Sequence, residues 1–414
     1  MRRVVLASLV GNILEWFDFA IYGYFAVAIG RHFFPSDNLT VSLLAALGVF
    51  AAGFIARPVG GAIFGHIADR MGRRKALLAS VTLMAVPTFL IGVLPTYAQI
   101  GAAAPVLLLV LRLLQGLSVG GEYATSVVYS VEHAPPQRRG LIASFSNVGA
   151  IGGMLLGSGL GALISAFLPS ESVDAWGWRI PFLFGILLGG FGLLLRRGLV
   201  ESEPVKGASS AHGSPLLAAM LTHKRELLQV IGVSCLNGVG FYILFVYSVT
   251  YMTTVLHEDI REAFEANTLA LTLLLVAAPI GAALSDRFGR KPVLAGFAVL
   301  MMLTAWPLFE MLHSNQTAVV LAAQCGFALV MGPFLGTIPV VMVEAFPRSV
   351  RCTAAALAYN LSMAVFGGLS PVFATWLIGR TGQDLMPAFL VIAAAAISLA
   401  TVLTMRETAR QTMR

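Results

Sequence analysis

Ionisable side chains inside long apolar runs are the first feature of this sequence that could do chemistry. Each costs about 3 kcal/mol in lipid unless it faces a polar cavity or a partner. The first apolar run contains Asn12, Glu15, Trp16, Asp18, Phe19 and Tyr22. Spacings of three and four put Asn12, Glu15, Asp18 or Phe19, and Tyr22 along one side of a helix, and that side cannot face lipid. Two carboxyls one turn apart raise each other's affinity for a proton, which suits one of them to titrate. Glu15 and Asp18 are therefore candidate proton-coupling groups. The competing role for Glu15 is to pair with an arginine and hold the helices together.

Three arginines lie within or near apolar runs: Arg57, Arg112 and Arg179, the last close to a span end. Arg57 sits in FIARPVGG beside Pro58, which frees a backbone carbonyl and bends the helix. Its guanidinium stays charged and can grip a carboxylate in a two-pronged fork. With no acid on its own span, Arg57 is the candidate anchor for a substrate carboxylate; its alternative role is counter-ion to Glu15 or Asp18. Arg112 opens RLLQGLSVGGEY, where helical spacing joins Arg112, Gln115 and Glu122 on one side. That face reads as a proton relay or as a static ion pair. Asn12, Tyr22 and Gln115 add neutral hydrogen-bonding groups for a solute. The C-terminal half has few deep charges, but Asn237, Tyr242, Tyr359 and Asn360 could supply further neutral contacts, with Tyr247 and Tyr251 nearby.

A second kind of chemistry belongs to the loops. The string GHIADRMGRRK at 65–75 sets glycines beside dense charge. Gly72 permits a tight turn, and Asp69 can hold a neighbouring helix terminus or a basic group while one side of the molecule is shut. Its DRMGRR recurs as DRFGRK at 286–291, an offset of 217. Glu132, Pro135 and Arg139 likewise recur as Glu344, Pro347 and Arg351, an offset of 212. The candidate gating residues are Asp69, Arg70, Arg73 and their repeats Asp286, Arg287 and Arg290.

These residues need a membrane-spanning scaffold. The chain of 414 residues is 57% hydrophobic and 11% charged, too little polar surface to cover a water-soluble globule of that size. Apolar runs of twenty residues or more exclude a β-barrel, whose strands alternate over about ten residues. An all-α membrane protein of twelve transmembrane helices is expected, with spans near 4–30, 40–66, 76–95, 104–131, 141–168 and 176–196, then 227–253, 267–285, 292–312, 317–345, 352–378 and 385–405. The repeats divide these into six-helix bundles at 1–196 and 227–414, pseudo-symmetric about an axis along the membrane normal, with a polar linker at 197–226. Basic residues favour one face by 21 to 3, which places both termini in the cytoplasm and the protein in a bacterial-type inner membrane. That distribution explains the net charge of +7 without nucleic acid. Glycines at 149, 152, 153, 157, 159 and 161 form a seam on which another helix can pack closely. The three cysteines have neither disulfide nor metal-ligand spacing. No catalytic triad, metal cluster or nucleotide-binding glycine loop is present, so an enzyme, an ATP-driven pump and a cofactor are not expected. The first run is too long and too acidic for a cleavable leader.

Taken together, GNILEWFDFAIYG at 11–23, FIARPVGG, GHIADRMGRRK, RLLQGLSVGGEY, WGWRIPF at 176–182 and FGG at 366–368 resemble the metabolite:proton symporter family of the major facilitator superfamily. The resemblance covers nearly the whole chain. It implies the two-bundle major facilitator fold, a functional monomer in the lipid bilayer, and symport of protons with a small organic solute by alternating access. It also places Glu15, Asp18, Arg57, Arg112 and Glu122 on the family's polar positions. The first-half motifs are most similar to the family's alpha-ketoglutarate carriers, and LTAWPLFEML at 303–312 and AVFGGLSP at 364–371 to its citrate carriers. A di- or tricarboxylate is accordingly the expected solute. The alternatives are a proline/betaine osmolyte symporter, although no long coiled coil follows Arg406, and a proton-driven exporter of a drug or metabolite.

Overall fold

The computed structural model describes residues 2–71, 73–120, 122–197, 222–348, 350–409, 411 and 413; side chains of 2–11, 62, 65–71, 73–77, 122, 192 and 195–197 lie outside the described set. All regular structure among these residues is helical. The N-terminal set comprises α1 (Arg2–Tyr24), α2 (Ala26–Phe33), α3 (Leu39–Met71), α4 (Arg73–Val93), α5 (Ala103–Val119), α6 (Glu122–Glu132), α7 (Arg139–Phe167) and α8 (Arg179–Arg197). The C-terminal set comprises α9 (Lys224–Phe241), α10 (Ser248–Thr254), α11 (Ile260–Phe288), α12 (Arg290–Leu312), α13 (Thr317–Glu344), α14 (Arg351–Ser362), α15 (Ser370–Thr381) and α16 (Met386–Thr404).

Nine helices among the described residues are long and apolar enough to cross a bilayer, and a tenth span forms if α1 and α2, bent by 63°, count as one. The third and sixth expected spans fall on shorter apolar helices, Leu78–Val93 and Arg179–Phe191. Two spans of the C-terminal set contain π-helical turns, Tyr242–Val246 between α9 and α10 and Met363–Gly368 between α14 and α15. Such turns widen a helix locally and recur at functional sites.

Close packing without a soluble core depends on small residues at the crossings. Helix α3 lies so tightly on α5 that a Cβ on Gly120 would overlap the carbonyl of Arg57, and one on Gly116 that of Gly53. This contact sets the Arg112 backbone against Gly53, one turn before Arg57 on α3. On α7 the glycine seam divides its work: Gly153 meets Ile13 and Phe17 of α1, Gly161 meets Phe264 of α11, and Gly159 faces open space. Helices α7 and α11 join the two sets along an extensive contact.

Candidate functional site

A group of polar and charged side chains is buried at the centre of the helix packing. Asn12, Arg112 and Gln115 are fully buried, and Glu15, Asp18 and Arg57 are at most 5% exposed. Arg57 Nη2 lies 3.3 Å from Glu15 Oε1, so the acid that meets this arginine comes from α1 across a helix crossing. Of the two roles open to Arg57, the structure shows the counter-ion to Glu15, which engages one edge of its fork. Arg112 differs. Its Nη1 donates to Gln115 Oε1 at 2.8 Å, and Gln115 Nε2 donates to Thr88 Oγ1 at 2.7 Å. Thr88 Oγ1 in turn lies 2.7 Å from Asp18 Oδ2, so Asp18 and Arg112 are linked through two neutral side chains.

Of the expected Arg112–Gln115–Glu122 face, the structure shows the bond between Arg112 and Gln115; the Glu122 side chain lies outside the described residues. Thr88 escaped sequence reasoning because a threonine in an apolar run normally bonds back to its own helix. Thr88 does this too, 2.8 Å from the Met84 carbonyl.

Aromatic faces enclose both guanidinium groups. Arg57 Cζ lies 5.4–5.9 Å from the ring centroids of Trp16, Phe19, Phe54 and Tyr359, and Arg112 Cζ lies 4.3–5.5 Å from Tyr22, Phe19 and Phe50. The negative ring faces stabilise charge that has left water. Tyr242 joins the box edge-on to Phe54, and Tyr359 stacks on Tyr123 with centroids 4.4 Å apart. Tyr359 therefore meets Arg57, and Tyr242 meets the aromatic wall beside it. Asn237 reaches only the sulfur of Met363 at 4.0 Å. Two of the expected solute contacts are occupied: Tyr22 donates to the Ala46 carbonyl at 3.1 Å and Asn360 to the Gly120 carbonyl at 2.5 Å. Asn360 is thus a strap between the two helix sets, and Tyr22 offers its ring.

Several buried polar atoms here have no partner among the described residues: the Asn12 amide, Trp16 Nε1, Arg57 Nε, Arg112 Nε and Nη2, and Tyr242 Oη. An unpaired buried donor costs about 1–3 kcal/mol. A concentration of them marks a place where an acceptor-bearing ligand would restore what is missing. Beside it, a small cavity is lined by Glu15, Asp18, Ser80, Ser118, Gly185 and Gly189 of the N-terminal set.

Hydrogen bonds close the molecule at both ends of this centre. At one end, Asp286 accepts from the Gly140 and Leu141 backbone N–H groups at 2.9 Å each, capping α7 from the other helix set. Arg290 holds Asp286 at 2.7 Å and Glu344 at 3.3 Å, and Arg351 reaches Glu132 at 2.7 Å across the interface. Arg287 does not take the expected gating place: it is exposed and lies over its neighbour Phe288. The side chains of Asp69, Arg70 and Arg73 lie outside the described residues. The tail adds Glu407, whose carboxyl is pushed up by burial but held below its ordinary range by the backbone N–H groups of Ala409, Arg290, Lys291 and Thr408. At the opposite end, Asn267 donates to Ser158 at 3.1 Å and Thr250 to the Gly23 carbonyl at 3.4 Å.

Comparison with known proteins sets this geometry in a family. The Major Facilitator Superfamily profile matches residues 8–358. A proline/betaine transporter of Salmonella typhimurium (strain LT2) is 34% identical over 426 residues, covering all of this chain and 85% of the relative. A citrate-proton symporter of Klebsiella pneumoniae is 36% identical over 398 residues, covering 95% and 89%. The xylose transporter of E. coli, solved in a partially occluded inward-open conformation, superposes with a TM-score of 0.77 over 99% of both chains; at 18% identity this likeness shows the fold alone. Proline/betaine transporters matched over the entire chain overturn the expected di- or tricarboxylate. Of the strings behind that expectation, LTAWPLFEML places Leu303 and Trp306 on the outer surface, 70% and 38% exposed. The protein is a multi-pass membrane transporter and not an enzyme, and it belongs to the major facilitator superfamily, within the metabolite:proton symporter family that its motifs resemble.

Proposed function

We propose that this protein is a proton-coupled symporter of a small zwitterionic osmolyte of the proline or betaine type. The observation that carries the reading is the balance of the central site: two arginines, Arg57 and Arg112, face two acids, Glu15 and Asp18, inside an aromatic box with unpaired donors. Such a centre has little net charge, and a solute with both charges adds none. Its carboxylate would accept from Arg112 Nε and Nη2 and Arg57 Nε, with Trp16 Nε1 and Tyr242 Oη nearby, while its cationic nitrogen would lie against ring faces. The match to a proline/betaine transporter over the full chain supports the same class.

In this reading Asp18 carries the proton, and the arrangement closed at both ends is the occluded stage of alternating access. Two six-helix bundles, 1–196 and 227–414, rock about the site while Asp286, and by repeat Asp69, release and re-form one gate. The gate face and both termini are cytoplasmic, the membrane is a bacterial-type inner membrane, and one monomer suffices. Binding to the purified protein tests the class, because a ligand specific for the folded state raises its melting temperature. Glycine betaine or proline should stabilise the protein and citrate should not; stabilisation by citrate alone would overturn the reading.

A further inference from the structure

The Thr88 hydroxyl has one hydrogen and two acceptors. Its oxygen lies 2.7 Å from Asp18 Oδ2 and 2.8 Å from the Met84 carbonyl, and it accepts from Gln115 Nε2 at 2.7 Å. All of these groups are buried: Thr88 and Gln115 fully, and Asp18 is 5% exposed. With Asp18 ionised, the hydroxyl donates to the carboxylate, a charge-assisted bond about twice as strong as the bond to a neutral carbonyl. With a proton on Asp18 Oδ2, that oxygen becomes a donor. Thr88 Oγ1 can then accept from it, keep the Gln115 bond on its other lone pair, and turn its own hydrogen to Met84. Both charge states are fully bonded, one hydrogen rotates, no heavy atom moves, and Thr88 keeps its own proton.

We infer that Thr88 is a positioning residue for coupling, a two-way donor that lets Asp18 gain and lose a proton in the closed site without leaving a buried group unpaired. Gln115 completes the device by fixing the Thr88 lone pair and tying it to Arg112 Nη1, which leaves Arg112 Nε and Nη2 turned to the solute site. The inference rests on proton coupling through Asp18 as proposed above. The other groups about Asp18, among the described residues, are few. Glu15 is on its own helix and paired with Arg57 of α3, and Tyr22 lies against Arg112 of α5. Tyr123 of α6 and Tyr242 stand beyond Trp16. Helix α8 offers only Gly185 near Asp18 Oδ1, and α7 meets the far side of α1 through Gly153 and Gly157.

The test is the pH dependence of glycine betaine affinity, measured on purified protein by the intrinsic fluorescence of its tryptophans. Thr88→Val keeps the shape and removes the donor to the ionised carboxylate, so proton binding becomes easier. The pH at which affinity is half-maximal should move about one unit to the alkaline side, a tenfold change in proton affinity. Thr88→Ser should restore the wild-type midpoint. Thr82→Val should leave it in place, because Thr82 bonds only to the Leu78 carbonyl. In an Asp18→Asn background, Thr88→Val should shift nothing further. If Thr88→Val does not fold, the Thr88→Ala and Thr88→Ser pair makes the same comparison. A wild-type pH dependence with the Thr88→Val midpoint unmoved, or a Thr88→Ser protein that behaves like Thr88→Val, would overturn the relay alone. Wild-type affinity that ignores pH would overturn the proton-coupled reading beneath it.

Discussion

The two helix sets contribute opposite chemistry to one site. The N-terminal set brings the charge: Glu15, Asp18, Arg57 and Arg112, buried and bonded to one another or to Gln115 and Thr88. The C-terminal set brings neutral groups and ring faces: Tyr242, Tyr359, Asn237 and Asn360. At the gate the balance reverses, because Asp286, Arg290, Glu344 and Arg351 of the C-terminal set grip backbone or side chains of the N-terminal set and of each other. The difference teaches that a repeated fold need not repeat its work. One set holds the buried ions while the other faces them with neutral groups and rings.

The comparison breaks most visibly if the N-terminal charges are not the coupling machinery. Asp18→Asn should abolish accumulation of betaine against a gradient, a loss of at least about 100-fold in steady-state uptake, since proton transfer at a positioned group contributes about 10²–10⁴. Wild-type accumulation by the variant in vesicles would move coupling elsewhere. Next in size, Arg112→Lys keeps the charge but loses the fork and the Gln115 tie. Calorimetry should show affinity falling by about 2–3 kcal/mol.

At the gate, Asp286→Asn weakens two bonds to the α7 terminus, each charge-assisted and worth about 1.5–3 kcal/mol. Turnover should fall roughly tenfold, because stabilisation of closure is lost, while solute affinity stays within about twofold. Equal loss of both would place Asp286 in the solute site. Smallest is Tyr242→Phe, which removes one unpaired donor and keeps the ring. If the hydroxyl meets the solute, affinity should drop by about 1 kcal/mol; if the ring alone matters, calorimetry should detect no change.

Acid should loosen the tail. The Glu407 carboxyl lies below its ordinary range in the folded protein, held there by four backbone N–H groups against the opposing effect of burial. Its stabilising contribution is therefore complete above the ordinary value of 4.5 and disappears as pH falls through the depressed folded value. Glu407→Gln should mimic that loss at neutral pH, seen as faster hydrogen exchange at the start of α12.

Apolar length and one-sided periodicity made the helices and the polar face of α1 legible, because both are properties of a single segment. Which helix a face meets is not such a property. The sequence therefore brought Glu15, Asp18, Arg57 and Arg112 into one discussion but left Arg57 between a solute and an acid of the first span, and α3 presents it to Glu15, 42 residues away. Thr88 was invisible for the same reason: only the crossing of α4 with α1 and α5 makes its hydroxyl part of a charged chain. The substrate class misled for a different one. Short strings carry family likeness without the contacts a solute would make, and in LTAWPLFEML Leu303 and Trp306 lie on the outer surface.

The central claim is that a balanced centre accepts a zwitterion together with a proton. Its most direct measurement is glycine betaine uptake by proteoliposomes under an imposed inward proton gradient, with and without a protonophore. Betaine should accumulate above the external concentration, and the accumulation should collapse when the protonophore is added. Accumulation that survives the protonophore and follows a sodium gradient instead would contradict the claim.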